Sequence, residues 1–325
     1  MVRWGILGCA DIARRKTLPA LAGLPGTAVS AVASRDRGRA ERLAGEIGCA
    51  AVTGYAALLE RADVDAVYLP LPPGLHARWA DRALRAGKHV LVEKPLATRR
   101  ADAERLFDLA RSHGRVLMEN MTFVHHAQHR AVVGLLADGA IGALHGFDGR
   151  FTIPPRPDGD IRLVADLGGG ALLDQGVYPV RAALYLLGEG LQHVGSVLRG
   201  PSRDTVDLAG RALLLSPAGI PASIEFGMLG PYRAGYALTG ARGRIVVPRA
   251  FTPPDGHAPV VRLERDGRQE ERTLPPDRQF RNAIACFLAA VRGVSALDDY
   301  EAASLHQADV VDKILTLARR APCAR

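Results

Sequence analysis

Lysine is nearly missing from this chain. Of its 42 lysine and arginine residues, only Lys16, Lys88, Lys94 and Lys313 are lysines. An ammonium is a compact donor whose pKa can be tuned, whereas a guanidinium stays charged, so a lysine at a structured position stands out. Cysteine is sparse as well. Cys9, Cys49, Cys286 and Cys323 lie far apart with no CxxC pair, which argues against a disulfide framework and for reduced thiols in the cytoplasm. No apolar run reaches the ~18–20 residues that span a bilayer, and no charged-then-apolar leader precedes the first strand, so no membrane association is expected. The net charge is +8, yet basic residues cluster only in short runs such as Arg14-Arg15-Lys16, Arg99-Arg100 and Arg319-Arg320. A nucleic-acid binder carries a denser stripe, so no nucleic-acid partner is expected; the balance suits an anionic small molecule. Internal repeats and long low-complexity stretches are absent too.

What is present is a length of 325 residues with 48% apolar content, enough for two domains with substantial cores. The spacing predicts strands at Val2–Leu7, Ala28–Ala33, Val64–Leu69, His89–Val92 and Arg115–Met118. Helices are predicted from the first glycine turn toward Leu24, then over Arg39–Ile47, His76–Ala86 and Asp102–Ser112. That alternation predicts a parallel, doubly wound sheet over residues 1–121. From residue 122 to 325 the pattern changes. Strands at Phe147–Thr152, Val194–Leu198, Asp207–Leu215, Ala222–Phe226, Tyr236–Thr239, Gly243–Val247 and Val260–Glu264 are separated by hairpin-type turns. Two amphipathic helices, Phe280–Arg292 and Tyr300–Ala318, follow. A mostly antiparallel sheet is expected there, with the last helices packing back on the first domain.

Gly8-Cys9-Ala10-Asp11-Ile12-Ala13 opens the first helix directly after the first strand. It fills the G-x-G-x-x-G register with Gly8, Ala10 and Ala13, a degraded fingerprint whose position still aims free N–H groups at a pyrophosphate. The second strand ends in Ser34-Arg35-Asp36. A hydroxyl and a guanidinium suit a 2′-phosphate and favour NADP, while Asp36 keeps NAD open if the strand ends one residue later. The apolar run His89–Val92 leads into Glu93-Lys94-Pro95, at the strand end where α/β folds bind ligands. The alternative there is a surface lysine closing a strand.

With these residues and Gly168-Gly169-Gly170-Ala171-Leu172-Leu173-Asp174-Gln175-Gly176-Val177-Tyr178, the chain resembles the Gfo/Idh/MocA oxidoreductases over nearly its whole length. The stretch from Ala83 to Pro95 is the most specific part. The resemblance implies an α/β protein with an N-terminal Rossmann domain and a C-terminal α/β domain built on a large, open, mainly antiparallel sheet. Within the family, Met118–His126 and Ile161-Arg162-Leu163 look like the nucleotide-sugar 3-ketoreductases of deoxysugar biosynthesis. Those use NADPH to reduce the C3 carbonyl of a dTDP-linked 3,4-diketo-2,6-dideoxyhexose. A homo-oligomer, dimer or tetramer, through the C-terminal sheet is implied as well.

The implied cofactor-binding set is Gly8, Cys9, Ala10, Asp11, Ile12, Ser34, Arg35, Leu69, Pro70, His76, Glu93 and Lys94. Lys94, Phe123, Arg162, Asp174 and Tyr178 are expected to meet substrate, and Lys94, Tyr178 and Asp174 to act in catalysis. An ammonium at Lys94 stabilises the developing alkoxide, and a cis bond before Pro95 is expected to direct it. Tyr178 is the expected proton donor; a phenol of pKa about 10 needs a cation nearby. Asp174, four residues earlier, shares its face on a helical turn, although Pro179 disfavours a helical Tyr178. Glu93 is expected to be structural and His76 structural first. Arg162 meets either a pyrophosphate or sugar oxygen or a loop carboxylate. His125, His126 and His129 lack the glutamate of a zinc motif and a third ligand, so no metal is expected; substrate contacts or helix-surface positions are. Two other readings stay open: an NADP-dependent dehydrogenase of a free sugar, polyol or dihydrodiol, and a non-catalytic dinucleotide-sensing regulator.

Overall fold

The structure, a computed structural model, describes residues 1–202 and 205–323. It divides into two compact units, Met1–Met121 with Phe280–Ser304, and Thr122–Gln279 with Leu305–Arg325.

The first unit is built on strands β1 (Val2–Leu7), β2 (Thr27–Ser34), β3 (Ala50–Thr53), β4 (Ala66–Leu69), β5 (His89–Val92) and β6 (Leu117–Glu119). All pair in parallel, in the order β3-β2-β1-β4-β5-β6. The order reverses between β1 and β4, and crevices at such switch points open at the carboxyl ends of the strands. Helices α1 (Leu18–Ala22), α2 (Arg37–Ile47), α3 (Tyr55–Leu59), α4 (Pro73–Arg85) and α5 (Arg100–Ser112) connect the strands. A π-helical turn, Ala13–Thr17, precedes α1. All four residues of β4 are buried, as expected of a parallel strand covered on both faces.

The second unit contains α6 (Ala127–Ala137), β7 (Leu144–Thr152), α7 (Val177–Leu187), β8 (Gln192–Gly200), β9 (Ala209–Leu215), β10 (Pro221–Gly227), β11 (Arg233–Gly240), β12 (Gly243–Val247), β13 (Val260–Arg265) and β14 (Arg268–Thr273). Helices α8 (Gln279–Val291) and α9 (Asp298–Leu317) and strand β15 (Arg319–Pro322) end the described chain. Most of α8 belongs to the first unit: Ala283, Ile284, Phe287 and Leu288 share a core cluster with β1, and Phe287 lies 5.2 Å from Trp4, ring centre to ring centre. The nine-stranded sheet runs β14-β13-β12-β11-β7-β10-β9-β8-β15. Its pairings are antiparallel except β7 with β10 and β8 with β15.

Helix α7 lies on one face of this sheet at very short range. A Cβ on Gly149 of β7 would meet Pro179 at 2.8 Å, and one on Gly176 would meet the Phe226 ring at 3.0 Å. Phe147, Phe151 and Phe226 are buried beneath it, whereas Leu213 and Val197 of β9 and β8 are exposed. Several short elements escape the sequence pattern. Strand β14 reads RQEERT, with every residue exposed, and β15 is four residues ending in proline at the sheet edge. Asp266 (φ 52°) and Gly267 (φ 71°) form the left-handed turn between β13 and β14.

Candidate active site

A turn with a left-handed glycine follows β1. Gly8 sits at φ +121°, where a side chain is strained, and a Cβ there would meet Leu71 at 3.0 Å. Pro70 and Leu71, at the end of β4, therefore lie against this turn, while Leu69 is fully buried and its carbonyl accepts from the Glu93 N–H at 3.2 Å. Cys9, Ala10 and Ile12 are partly exposed and Asp11 is exposed. At the end of β2, Ser34 accepts from the Asp36 N–H at 3.2 Å, and Asp36 accepts from the Arg39 N–H at 2.8 Å. Asp36 is thus the N-cap of α2, and its carboxylate serves that helix rather than a ribose diol. Arg35 is exposed. Sequence reasoning missed Arg39. Its Nη2 reaches the Cys9 carbonyl at 3.3 Å, so a second guanidinium borders the turn. The only signal in the sequence is its place one helical turn after Arg35. A hydroxyl, two guanidiniums and a carboxylate already capped suit a 2′-phosphate better than a 2′-hydroxyl.

The lysine turn lies at the carboxyl end of β5, and the Lys94–Pro95 bond is cis, as expected. Glu93 is structural: its Oε1 accepts from the Tyr68 hydroxyl at 2.6 Å and from the Asn120 amide at 2.7 Å. Burial pushes the Glu93 carboxyl up, while those two donors and the Lys94 charge pull it down. Burial and the neighbouring Glu93 push the Tyr68 phenol far up, so it remains a donor. His76 is completely buried, with Nδ1 2.7 Å from the Pro95 carbonyl and Nε2 2.7 Å from the Leu71 carbonyl. Both ring nitrogens face main-chain groups, which makes His76 a brace for the lysine turn rather than a polar contact for a cofactor. Burial lowers its pKa against the opposing pull of the two carbonyls.

The tyrosine helix begins with a π-helical turn, Leu172–Gly176, which runs into α7. Tyr178 is helical despite Pro179, because the wide turn comes before the proline's missing N–H. Asp174 accepts from Arg162 Nε and from the Gln175 amide, and Arg162 also bridges to Asp160 at 3.2 Å. Of the choices open for Arg162, a loop ion pair is therefore realised. The triple glycine allows close approach. A Cβ on Gly169 would meet the Arg162 carbonyl at 2.5 Å, and one on Gly170 (φ +119°) would meet Asp207 at 2.4 Å. Asp207, unread in the sequence, is a buried carboxylate that accepts from the Leu172 N–H at 2.7 Å and so caps the helix start. Burial raises its pKa to about 6.

The Tyr178 ring is set among Phe151, Phe251 and Phe123, at 5.1, 5.7 and 6.0 Å between ring centres. Phe123 is fully buried, so it backs Tyr178 rather than offering a face to substrate. The histidines are neither at the helix surface nor arranged as ligands. His126 is buried and caps α6 through Nδ1, accepting from the Gln128 N–H at 3.2 Å. His129 is buried between the Tyr236 hydroxyl (2.9 Å) and the Ala250 carbonyl (3.1 Å). Burial lowers His129 to about 3 and His125 to about 4. Among the described residues no group of three or more His, Cys, Asp or Glu could hold a metal ion.

A doubly wound sheet with a phosphate turn and a lysine at a strand end, followed by an open sheet under a tyrosine helix, is the plan of a nicotinamide-dependent oxidoreductase. Comparisons agree. Residues 2–121 match the oxidoreductase family with an NAD-binding Rossmann fold, and residues 129–246 match the GFO/IDH/MocA C-terminal domain. The chain belongs to the Gfo/Idh/MocA family. It is 50% identical, over 98% of its length and 97% of the relative's, to dTDP-3,4-didehydro-2,6-dideoxy-alpha-D-glucose 3-reductase of Streptomyces antibioticus. It is 34% identical to D-xylose 1-dehydrogenase (NADP(+)) 2 of Haloferax volcanii, over 89% of its length and 88% of that relative. Among solved structures it matches KijD10, a 3-ketoreductase from Actinomadura kijaniata in complex with NADP and TDP-benzene, at TM-score 0.97 and 50% identity, covering 99% of each chain. KijD10 has also been solved with a lysine changed to alanine and with a tyrosine changed to phenylalanine.

Proposed function

We propose that the protein uses NADPH to reduce the C3 carbonyl of a dTDP-linked keto-deoxysugar in deoxysugar biosynthesis. The observation that carries this reading is 50% identity, along nearly the whole of both chains, to a reductase of that name. The capped Asp36 and the two guanidiniums beside Ser34 support NADPH over NADH. When bound, NADPH supplies the hydride. The Gly8 turn receives the pyrophosphate, and Ser34, Arg35 and Arg39 receive the 2′-phosphate.

Lys94 holds its ammonium at the substrate carbonyl and stabilises the negative charge that develops on its oxygen. Tyr178 donates the proton to that oxygen, directly or relayed through Lys94. Asp174, held by Arg162 and Gln175, accepts from a sugar hydroxyl and orients the ring being reduced. The work is placed in the cytoplasm, in keeping with four unpaired cysteines. No helix among the described residues is long and apolar enough to cross a membrane. The open face of the nine-stranded sheet exposes Val197 and Leu213 beside Arg211 and Glu225, and we propose that it packs against a second copy in a dimer or tetramer.

The test is a pair of assays: NADPH oxidation with a dTDP-linked 3-keto sugar, and NADP reduction with free aldoses, polyols and dihydrodiols. Fast turnover in the first and only slow turnover in the second is the expected result. The reverse would make the protein a free-sugar dehydrogenase. NADPH binding with no turnover on either panel would make it a dinucleotide-sensing regulator.

A further inference from the structure

The peptide group that follows Pro95 is held at both ends by buried side chains. His76 Nδ1 lies 2.7 Å from the Pro95 carbonyl oxygen. Glu119 Oε1, at the end of β6, accepts from the Leu96 N–H at 3.0 Å. These are the two polar atoms of one peptide plane, and both side chains are fully buried. On the other side of Lys94, the Glu93 N–H is tied to the Leu69 carbonyl at 3.2 Å, and its side chain to Tyr68 and Asn120. The backbone carrying Lys94 is therefore fixed from before and after.

Glu119 is the unusual member. Burying a carboxylate is expensive unless its oxygens are satisfied. Oε2 accepts from the Ser304 hydroxyl at 3.1 Å, and the Glu119 carbonyl accepts from the Tyr300 hydroxyl at 2.7 Å; both donors stand on α9. A peptide plane with a partner at its N–H and another at its C=O is restrained against rotation from both edges. We infer that Glu119 is a positioning residue for Lys94: by fixing the Pro95–Leu96 peptide together with His76, it sets where the ammonium stands. The inference rests on the reading of Lys94 as the amine that meets the carbonyl. A displacement of about 1 Å in such a group is enough to slow turnover on the order of 10²-fold without changing what binds.

The experiment measures kcat, sugar KM, NADPH Kd and melting temperature for Glu119→Leu, Glu119→Gln and Ser304→Ala, with Lys94→Ala alongside. Glu119→Leu is expected to lower kcat about 30-fold, with NADPH Kd and sugar KM within about 3-fold of the parent. Glu119→Gln keeps an acceptor for the Leu96 N–H and is expected to recover most of the loss. Ser304→Ala, which removes one donor to the Glu119 carboxylate, is expected to lower kcat about 3-fold at unchanged NADPH Kd. Unchanged kcat in Glu119→Leu overturns the inference, and so does a parallel loss of kcat and cofactor affinity, the mark of a merely structural role. Should Glu119→Leu fail to fold, Ser304→Ala decides alone: unchanged kcat there overturns it. Full turnover by Lys94→Ala would overturn the catalytic amine itself, whereas a dead Lys94→Ala beside a full-rate Glu119→Leu would overturn only the positioning.

Discussion

The two units surround their candidate reacting groups with different kinds of neighbour. Around Lys94 the supports are directional: His76 and Glu119 are fully buried, Glu93 is half-buried, and each is bonded to a particular main-chain or side-chain atom. Around Tyr178 the supports are rings, with Phe123, Phe151 and Phe251 packed against it. The contrast follows from the side chains. A lysine stem has many rotamers, so its direction depends on a backbone that does not move. A tyrosine has only two torsions, and close ring packing restricts both.

That contrast can be broken from either side. Lys94→Arg keeps a cation on the turn but replaces the ammonium with a larger, planar group that holds its proton. It is expected to lower kcat about 10³-fold in steady-state NADPH oxidation; a loss below about 10-fold would mean that charge alone is needed. Tyr178→Phe leaves the aromatic packing intact and removes only the hydroxyl. A loss in kcat of about 10²-fold is expected, and unchanged rates would move proton donation to Lys94 or to a sugar hydroxyl. Arg39→Ala touches neither group. It is expected to weaken NADPH binding about 10-fold in a fluorescence titration while NADH binding stays the same, and equal losses for both cofactors would remove Arg39 from the 2′-phosphate site.

The smallest expected effect concerns stability. His125 and His129 are held neutral in the fold, at about 4 and about 3, against 6.5 in the unfolded chain. Their contribution is complete above pH 6.5 and is lost as pH falls toward those folded values, because the unfolded chain takes up protons first. Melting temperature should therefore fall steadily below pH 6.5, and His129→Gln should flatten that slope. Asp207 has the opposite sign: its folded value of about 6 lies above 3.8, so its contribution is complete below 3.8 and is lost as pH rises through 6.

The first unit was the more legible in sequence. Its strands are buried runs separated by helices with 3.6-residue spacing, and β5, His89–Val92, is found with the bounds that the pattern gives. The lysine turn was readable because its residues are contiguous. What could not be read depends on contacts between distant residues. Glu119 meets Leu96 across 23 positions, and Asp207 meets Leu172 across 35. Neither carboxylate carries any local mark of its partner. Asp36 illustrates the finer limit: a carboxylate at a strand end serves either a ribose or a helix cap, and only the Arg39 N–H at 2.8 Å decides. Strand β14 was missed because its residues are all exposed, so no alternation betrays it.

The most direct test of the account is single-turnover NADPH oxidation by Lys94→Ala, on protein whose NADPH affinity has been measured in the same preparation. The account predicts a rate at least about 10³-fold below the parent, with NADPH Kd within about 3-fold. A near-parental rate, or cofactor binding lost together with the rate, would contradict it.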